Sequence, residues 1–325
     1  MADVGATTTR VALVAGDPPS PSIIKQVALP SREHAGLDGL LRHFLEDVSD
    51  RPRDAVLAVA GPVMDGRAEL TNLGWTLVEE SLAAALGLRT VRLVNDLFAM
   101  ASALPVLDSE AIFTLQREQP AARGPLALIA PGTGLGQAYL TWHDGDYKAH
   151  PSEGGHADFA PNNRLQDDLL QYLRSRYGHV SGERVCSGRA LPELYDFLKS
   201  RGPTTESPDV ASRLAAAADR TPVIIEAGLS SPPCPLCRST LELFADLLAA
   251  EAGNLALRVL ATGGVYLGGG LPRRLLPLLR RPEFVVRFRE KGRLAPVLAR
   301  MPVHVIVQPN VGLLGAIRCA GRQPK

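Results

Sequence analysis

Three short polar islands break an otherwise apolar pattern and hold the residue types that move protons or grip hydroxyl groups. In RLVNDLFAM an apolar run stops at an amide and a carboxylate, Asn95 and Asp96. The β-branched stretch Val91 to Val94 predicts a strand and Leu97 to Ala103 a helix, so the pair falls where a strand hands over to a helix. Open α/β sheets put their ligands there. The plainer reading is that Asp96 caps the helix. In HPSEGGHADFAP, Glu153 and His156 flank a Gly-Gly pair, and so many small residues exclude a stable helix interior. A carboxylate and an imidazole converging from one shaped loop suit the hydroxyls of a sugar. As metal ligands they would be two without a third. Glu183, in GERVCSGRAL, is by itself most simply a surface charge, but the three islands together favour one site.

A glycine-rich turn, PGTGLG, offers backbone N–H groups and a threonine hydroxyl to phosphate oxygens. It is not a Walker loop, because no G-x-x-x-x-G-K-[ST] occurs in the sequence. Nor is it a Rossmann fingerprint, since its glycines run G-x-G-x-G and lead into the strand-like Gln137 to Trp142.

The elements that must position these groups follow a repeated grammar. DVGATTTRVALVAG predicts a hairpin turning at Gly5 to Thr8, and GPLALIAPGTGLGQAYLTW a second hairpin turning at Gly132 to Gly136. Two such units, each opening one half of the chain, suggest a duplicated α/β unit with a ligand between the copies. Further elements are a helix in GLDGLLRHFLEDV, a buried strand, a break at Gly61 and Pro62 and another strand in RDAVLAVAGPVMDGRAEL, and a mainly helical later half interrupted by ATGGVYLGGGLP. A last strand, VHVIVQP, precedes a closing helix in VGLLGAIRCAG that packs back onto the first lobe.

At 325 residues the chain suits two α/β lobes, on a prior of roughly 100–200 residues per domain. A net charge of +1 gives no general attraction for nucleic acid or an anionic membrane, so any phosphate must be held by local geometry. Cys186, Cys234, Cys237 and Cys319 are too few and scattered for a disulfide framework, which fits a reducing, cytoplasmic setting. Cys234 and Cys237 form a C-x-x-C with no second pair to complete a zinc site, and read as a loop or helix start. Neither a charged-then-apolar leader nor a membrane span is apparent.

The segments DVGATTTRVAL, AVAGPV, TNLGW, LVNDLFA, PGTGLG, SEGGHADFAP, ERVCSG and GGVYLGGGLP resemble, in their order, the bacterial-type glucokinases of the hexokinase and actin-like ATPase superfamily. The resemblance runs over nearly the whole chain and implies a duplicated RNase H-like α/β fold with an active-site cleft between two lobes. These are expected at 1–106, joined by the C-terminal helix 309–325, and at 107–308. It implies that Asp96 is the catalytic base accepting the proton of the glucose 6-hydroxyl, with Asn95, Glu153, His156 and Glu183 as sugar ligands. For ATP it implies a first phosphate loop with Asp3, Gly5 and Thr7, and a second with Gly132, Thr133 and Gly134. Asp3 would lie near Mg²⁺ through water, and Gly264 and Gly269 would face adenosine. It also implies D-glucose and Mg·ATP as substrates, a homodimer, and no nucleic-acid or membrane partner.

Three departures matter: the pattern G-D-[IV]-G-G-T-N-x-R has Ala2, Ala6 and Thr8 where the family places Gly, Gly and Asn. Residues of the first strand before Asp3 are short, which predicts lost ladder bonds and a weakened phosphate site. The alternatives are a degenerate member that binds sugar but transfers poorly, and a kinase for mannose or glucosamine. A repressor-type sugar kinase would need a cysteine-rich zinc motif, and a sugar-sensing regulator a helix-turn-helix before Asp3.

Overall fold

The structure, a computed structural model, describes residues 1–16, 22–202 and 205–321. It has two units: Met1–Asp108 with Gly145–His150 and the described residues from Gln308 on, and Ser109–Asp144 with Pro151–Val307. The short segment at Gly145 groups with the first unit, where Arg318 donates to the Asp146 carboxylate at 2.6 Å.

Ala55 to Val59 are all buried along the strand Asp54–Val59, so the sheet that holds them needs cover on both faces. Leu57 and Val59 pack among Leu40, Phe44 and Leu82, from the helices Leu37–Leu45 and Glu79–Leu86. Val56 and Ala58 point the other way, onto Ala99, Ala316 and Cys319 from the helices Asp96–Ala103 and Val311–Ala320. The sheet runs Ser22–Pro30, Thr8–Ala15, Ala2–Val4, Asp54–Val59, Thr90–Asn95; the first three strands are antiparallel and the last two parallel to Ala2–Val4. The closing helix therefore does pack onto the first unit, and residues 322–325 of the expected 309–325 span lie outside the described residues.

The expected loss at the first strand is not what the structure shows. Ala2–Val4 is only three residues long, yet it lies centrally, pairing Ala2 with both Val11 and Leu57 and Val4 with both Thr9 and Val59. Two full-length neighbours supply the ladder bonds that a short strand needs. The first lobe also holds more strands than the sequence suggests: the edge strand Ser22–Pro30, and a separate sheet of Val63–Met64, Arg67–Leu70 and Trp75–Val78. Asp65 and Gly66, with φ of 48° and 69°, form the tight Asp-Gly turn of that small sheet.

The second unit repeats the plan. The antiparallel hairpin Leu126–Pro131 and Leu135–His143 is followed by Gly264–Leu267 and Val303–Ile306, both in the parallel part of the sheet, with Ile112–Gln116 antiparallel at the edge. The glycine-rich GGVYLGGG is thus a central strand rather than an interruption between helices. Cys234 caps the N-terminus of the long helix Pro235–Val259, as the loop or helix-start reading of C-x-x-C requires. Part of the polar loop expected near Gly202 to Pro208, residues 203 and 204, lies outside the described residues.

One prediction concerns stability alone. Gly39 is exposed within Leu37–Leu45, and a Cβ there meets nothing within 4 Å. Gly39→Ala is expected to stabilise the protein by about 0.5–1 kcal/mol, read as a raised Tm in thermal unfolding.

Candidate active site

In the first unit the strand Thr90–Asn95 ends where the helix Asp96–Ala103 begins. Asn95 is the cap: its Oδ1 accepts the Phe98 N–H at 3.0 Å, and its Nδ2 donates to the Gly61 carbonyl at 3.0 Å. The capping role falls to Asn95 rather than Asp96, because the residue before the first helical one is placed to reach the N–H three residues on. Asn95 keeps one amide hydrogen and one lone pair for a ligand. Asp96, one position later, accepts the neighbouring Leu97 N–H at 2.8 Å. Burial, above all, raises its pKa to about 6; the Leu97 N–H works against that shift and the Asp3 charge adds to it.

Asp3 shares a row of the sheet with Ala58 and Val94, which puts it on the same face as the two covering helices. Its carboxylate lies at the start of Val311–Ala320, where a Cβ on Gly312 would come 2.6 Å from Asp3 Oδ2. Burial raises the Asp3 pKa, with Arg10 opposing. Asp3 and Asp96 are thus two carboxylates on one sheet face, and the charge of Asp3 is felt at Asp96.

The turn after Asp3 is held by a residue that the sequence reading missed. Ser31 Oγ donates to the Gly5 carbonyl at 2.6 Å, its backbone N–H donates to Thr7 O at 3.0 Å, and the hydroxyls of Thr9 and Ser31 share a bond of 2.9 Å. Gly5 N–H closes the turn on Thr8 O at 3.2 Å, leaving Thr7 exposed at its tip. Ala6 is not among the residues with positive φ, so its methyl brings no backbone strain of the kind the Gly-to-Ala departure predicts.

In the second unit three loops are woven together. Gly132 N–H donates to Gly134 O at 2.9 Å, and Gly188 N–H to Gly132 O at 2.7 Å, closing the PGTGLG turn against the segment after Glu183. Glu183 Oε2 accepts the Leu135 N–H at 2.9 Å and leaves no room for a side chain on Gly134, where a Cβ would lie 2.4 Å from it. Glu183 is therefore a hook on the turn, not a free surface charge. The 3₁₀ turn Gly154–His156 carries Glu153 and His156, whose Oε2 and Nε2 are 3.9 Å apart, and Gly182 N–H donates to Ala157 O at 2.9 Å. Both side chains are exposed, as groups awaiting a ligand must be.

A cavity of about 560 Å³ opens beside this turn, lined by Gly132, Thr133, Gly188, Arg189, Thr221 and Arg274 among others. Thr221 Oγ1 donates to Gly188 O at 2.9 Å, tying its far wall to the turn. Gly269 reaches the same turn: its φ is 85°, and a Cβ would lie 2.9 Å from Pro131 O. Gly264 lies apart from it, pairing with Leu126 at the start of the parallel strands, whereas the PGTGLG turn follows Pro131 at their end. Gly188, Arg189 and Arg274 are lining residues that sequence reasoning missed; Gly188 and Arg189 lay in the quoted GERVCSGRAL, Arg274 in no quoted motif.

Two units of one sheet plan, one presenting half-buried carboxylates and the other a glycine-rich turn without lysine, define a sugar kinase of the actin-like ATPase fold. A crystal structure of glucokinase from an Antarctic psychrotroph superposes with a TM-score of 0.82 at 34% identity, covering 98% of this chain and 97% of that one. A ROK family glucokinase from Streptomyces griseus, solved with glucose and AMPPNP, shares the fold at 19% identity and a TM-score of 0.63, over 98% and 97% of the two chains. In sequence, the glucokinase of Trichormus variabilis is 39% identical over 98% of each chain. The family model described as Glucokinase matches residues 1–323, and the chain belongs to the glucokinase family.

Proposed function

We propose that this protein transfers the γ-phosphoryl group of ATP to the 6-hydroxyl of D-glucose, forming glucose 6-phosphate. The observation that carries the reading is Asp96: a carboxylate at a strand end, with its pKa raised to about 6 by burial, is poised to accept a hydroxyl proton near neutral pH. Asn95, Glu153, His156 and Glu183 are the sugar ligands in this reading. Glu183 also couples sugar to nucleotide, because the carboxylate that hooks Leu135 holds the phosphate turn.

ATP fits the second unit through the N–H groups of Gly132 to Gly134 and the Thr133 hydroxyl, with Arg189 and Arg274 supplying positive charge from the cavity wall. Gly5 and Thr7 form the other phosphate loop. The residues also fit Mg²⁺: Asp3 is a half-buried carboxylate whose charge is felt at Asp96, and a divalent cation with its own waters relieves that repulsion. Mg²⁺ would neutralise phosphate charge, leaving positioning and proton acceptance to the chain's own residues. The reading takes Met1–Asp108 and Ser109–Val307, with the exchanged segments, as the two kinase lobes, in a homodimer working in the cytoplasm. No described helix is long and apolar enough to cross a membrane, and all four cysteines are free and buried.

The test is glucose 6-phosphate formation from D-glucose and Mg·ATP in a coupled dehydrogenase assay, with mannose and glucosamine alongside. Turnover of glucose with the highest kcat/KM of the three is expected. Tight glucose binding without turnover would instead support the degenerate member, and a higher kcat/KM for another hexose would reassign the substrate.

A further inference from the structure

Glu251 lies on the long helix Pro235–Val259, and its side chain is only 13% exposed. It ligates nothing in the reading above, yet three donors converge on it. Its Oε1 accepts from Gln137 Nε2 at 2.9 Å and from Arg258 Nη1 at 3.4 Å, and its Oε2 accepts from Asn254 Nδ2 at 2.9 Å. Asn254 is fixed in turn by Lys291 Nζ, which donates to its Oδ1 at 2.7 Å and to Ala250 O at 2.9 Å. This network stands directly behind two loops. Gln137 is buried, and its Oε1, without a hydrogen-bond partner among the described residues, faces Gly154, where a Cβ would lie 2.3 Å away. Gly154 follows Glu153. On the other side, a Cβ on Gly182 would lie 3.9 Å from the Glu251 carboxyl carbon, and Gly182 precedes Glu183.

We propose that Glu251, acting through Gln137, is a positioning residue that sets the turn carrying Glu153 and His156 for the sugar; this rests on the glucokinase reading. The chemistry requires an acceptor-only group at this point. A carboxylate takes the Gln137 and Asn254 amides without offering a hydrogen back, and it leaves the Gln137 carbonyl as the end turned to Gly154. A glutamine at position 251 brings an NH₂ of its own. Either that group meets the Gln137 NH₂, or Gln137 turns over and sets its NH₂ against the Gly154 backbone, which leaves a buried donor where a carbonyl stood. Both outcomes shift the turn that carries Glu153 and His156, while the Gly132–Gly134 turn keeps its own bonds to Gly188.

The test compares wild type, Glu251→Gln, and the exchanged pair Gln137→Glu with Glu251→Gln, which restores one carboxylate and one amide with their places swapped. Steady-state kinetics, glucose titration calorimetry and thermal unfolding are measured for each. Glu251→Gln is expected to raise KM for glucose on the order of tenfold, with KM for ATP within about twofold. The exchanged pair is expected to return KM for glucose to within about threefold of wild type, even if the single variant folds poorly. A Glu251→Gln protein with a lowered Tm but an unchanged KM for glucose, or an exchanged pair no better than the single variant, overturns the assignment. Wild type that neither binds nor phosphorylates glucose overturns the parent reading and this one with it.

Discussion

Asp96→Asn is expected to lower kcat by a factor on the order of 10²–10⁴ and, in the same variant, to raise Tm. The amide keeps the size of the carboxylate but accepts no proton, so the glucose 6-hydroxyl must lose its proton without help. Glucose affinity is expected to stay within a few-fold, since the other sugar ligands are untouched. Stability moves the opposite way because of how Asp96 is held. Burial raises its folded pKa to about 6 from the ordinary aspartate value of 3.8, so between roughly pH 4 and pH 6 the folded state binds the extra proton. Ionising Asp96 therefore costs stability as pH rises through that window, and the cost is fully present at pH 7. Asparagine removes it, and a gain of roughly 2–4 °C is expected in thermal unfolding. The same pKa sets the rate profile of the unmutated protein: the base works when ionised, so kcat/KM for glucose is expected to fall tenfold per pH unit below about pH 6. A variant retaining kcat within tenfold of wild type would remove Asp96 from the role of base. One that loses activity and Tm together would mean the carboxylate is held for structure.

The candidate residues of the two units were legible in the sequence because carboxylates and amides interrupt apolar runs at a strand end or beside paired glycines. Asn95, Asp96, Glu153 and His156 stand out for that reason, but what holds them does not. Ser31 sits 26 residues from the Gly5 carbonyl it clamps, and nothing in the local sequence LPSREH points to Gly5 or Thr7. Glu183 looks like a surface charge until the Leu135 N–H, 48 residues away, is found on it. In the fold, apolar runs such as Asp54–Val59 announce themselves, whereas Gly264–Leu267 is hidden by glycines on both sides. Its strand state comes from Leu126–Ile129 and Val303–Val305, which pair along it, not from its own propensity. The three-residue Ala2–Val4 was misjudged for the same reason: its stability resides in its neighbours.

Gly315→Ala is expected to be the most damaging of these substitutions for folding, and Gly39→Ala its opposite. Intrinsic helix propensity favours alanine by about 1 kcal/mol at either position. At Gly39 nothing opposes that gain. At Gly315 a Cβ would lie 1.7 Å from the Ala99 carbonyl oxygen and 2.3 Å from its carbon. Those are backbone atoms and cannot turn away, so Val311–Ala320 and Asp96–Ala103 must separate, opening the layer where Ala99, Ala316 and Cys319 pack on Val56 and Ala58. Overpacking a core usually costs about 1–3 kcal/mol, and a contact this short between two helix backbones belongs at or beyond the upper end. A loss of roughly 3 kcal/mol or more is expected, read by denaturant unfolding, with kcat down at least about tenfold in whatever protein remains folded. The activity loss follows from sequence distance: Ala99 is three residues after Asp96 on the same helix, and Gly312, against Asp3, is three before Gly315 on the other. Parting the helices therefore shifts both the helix start that bears Asp96 and the helix start that Gly312 sets against the Asp3 carboxylate, which a clash elsewhere in the core would not do. A Gly315→Ala protein with wild-type stability would mean that the helices approach less closely in solution, and the close setting of Gly312 against the Asp3 carboxylate would go with it.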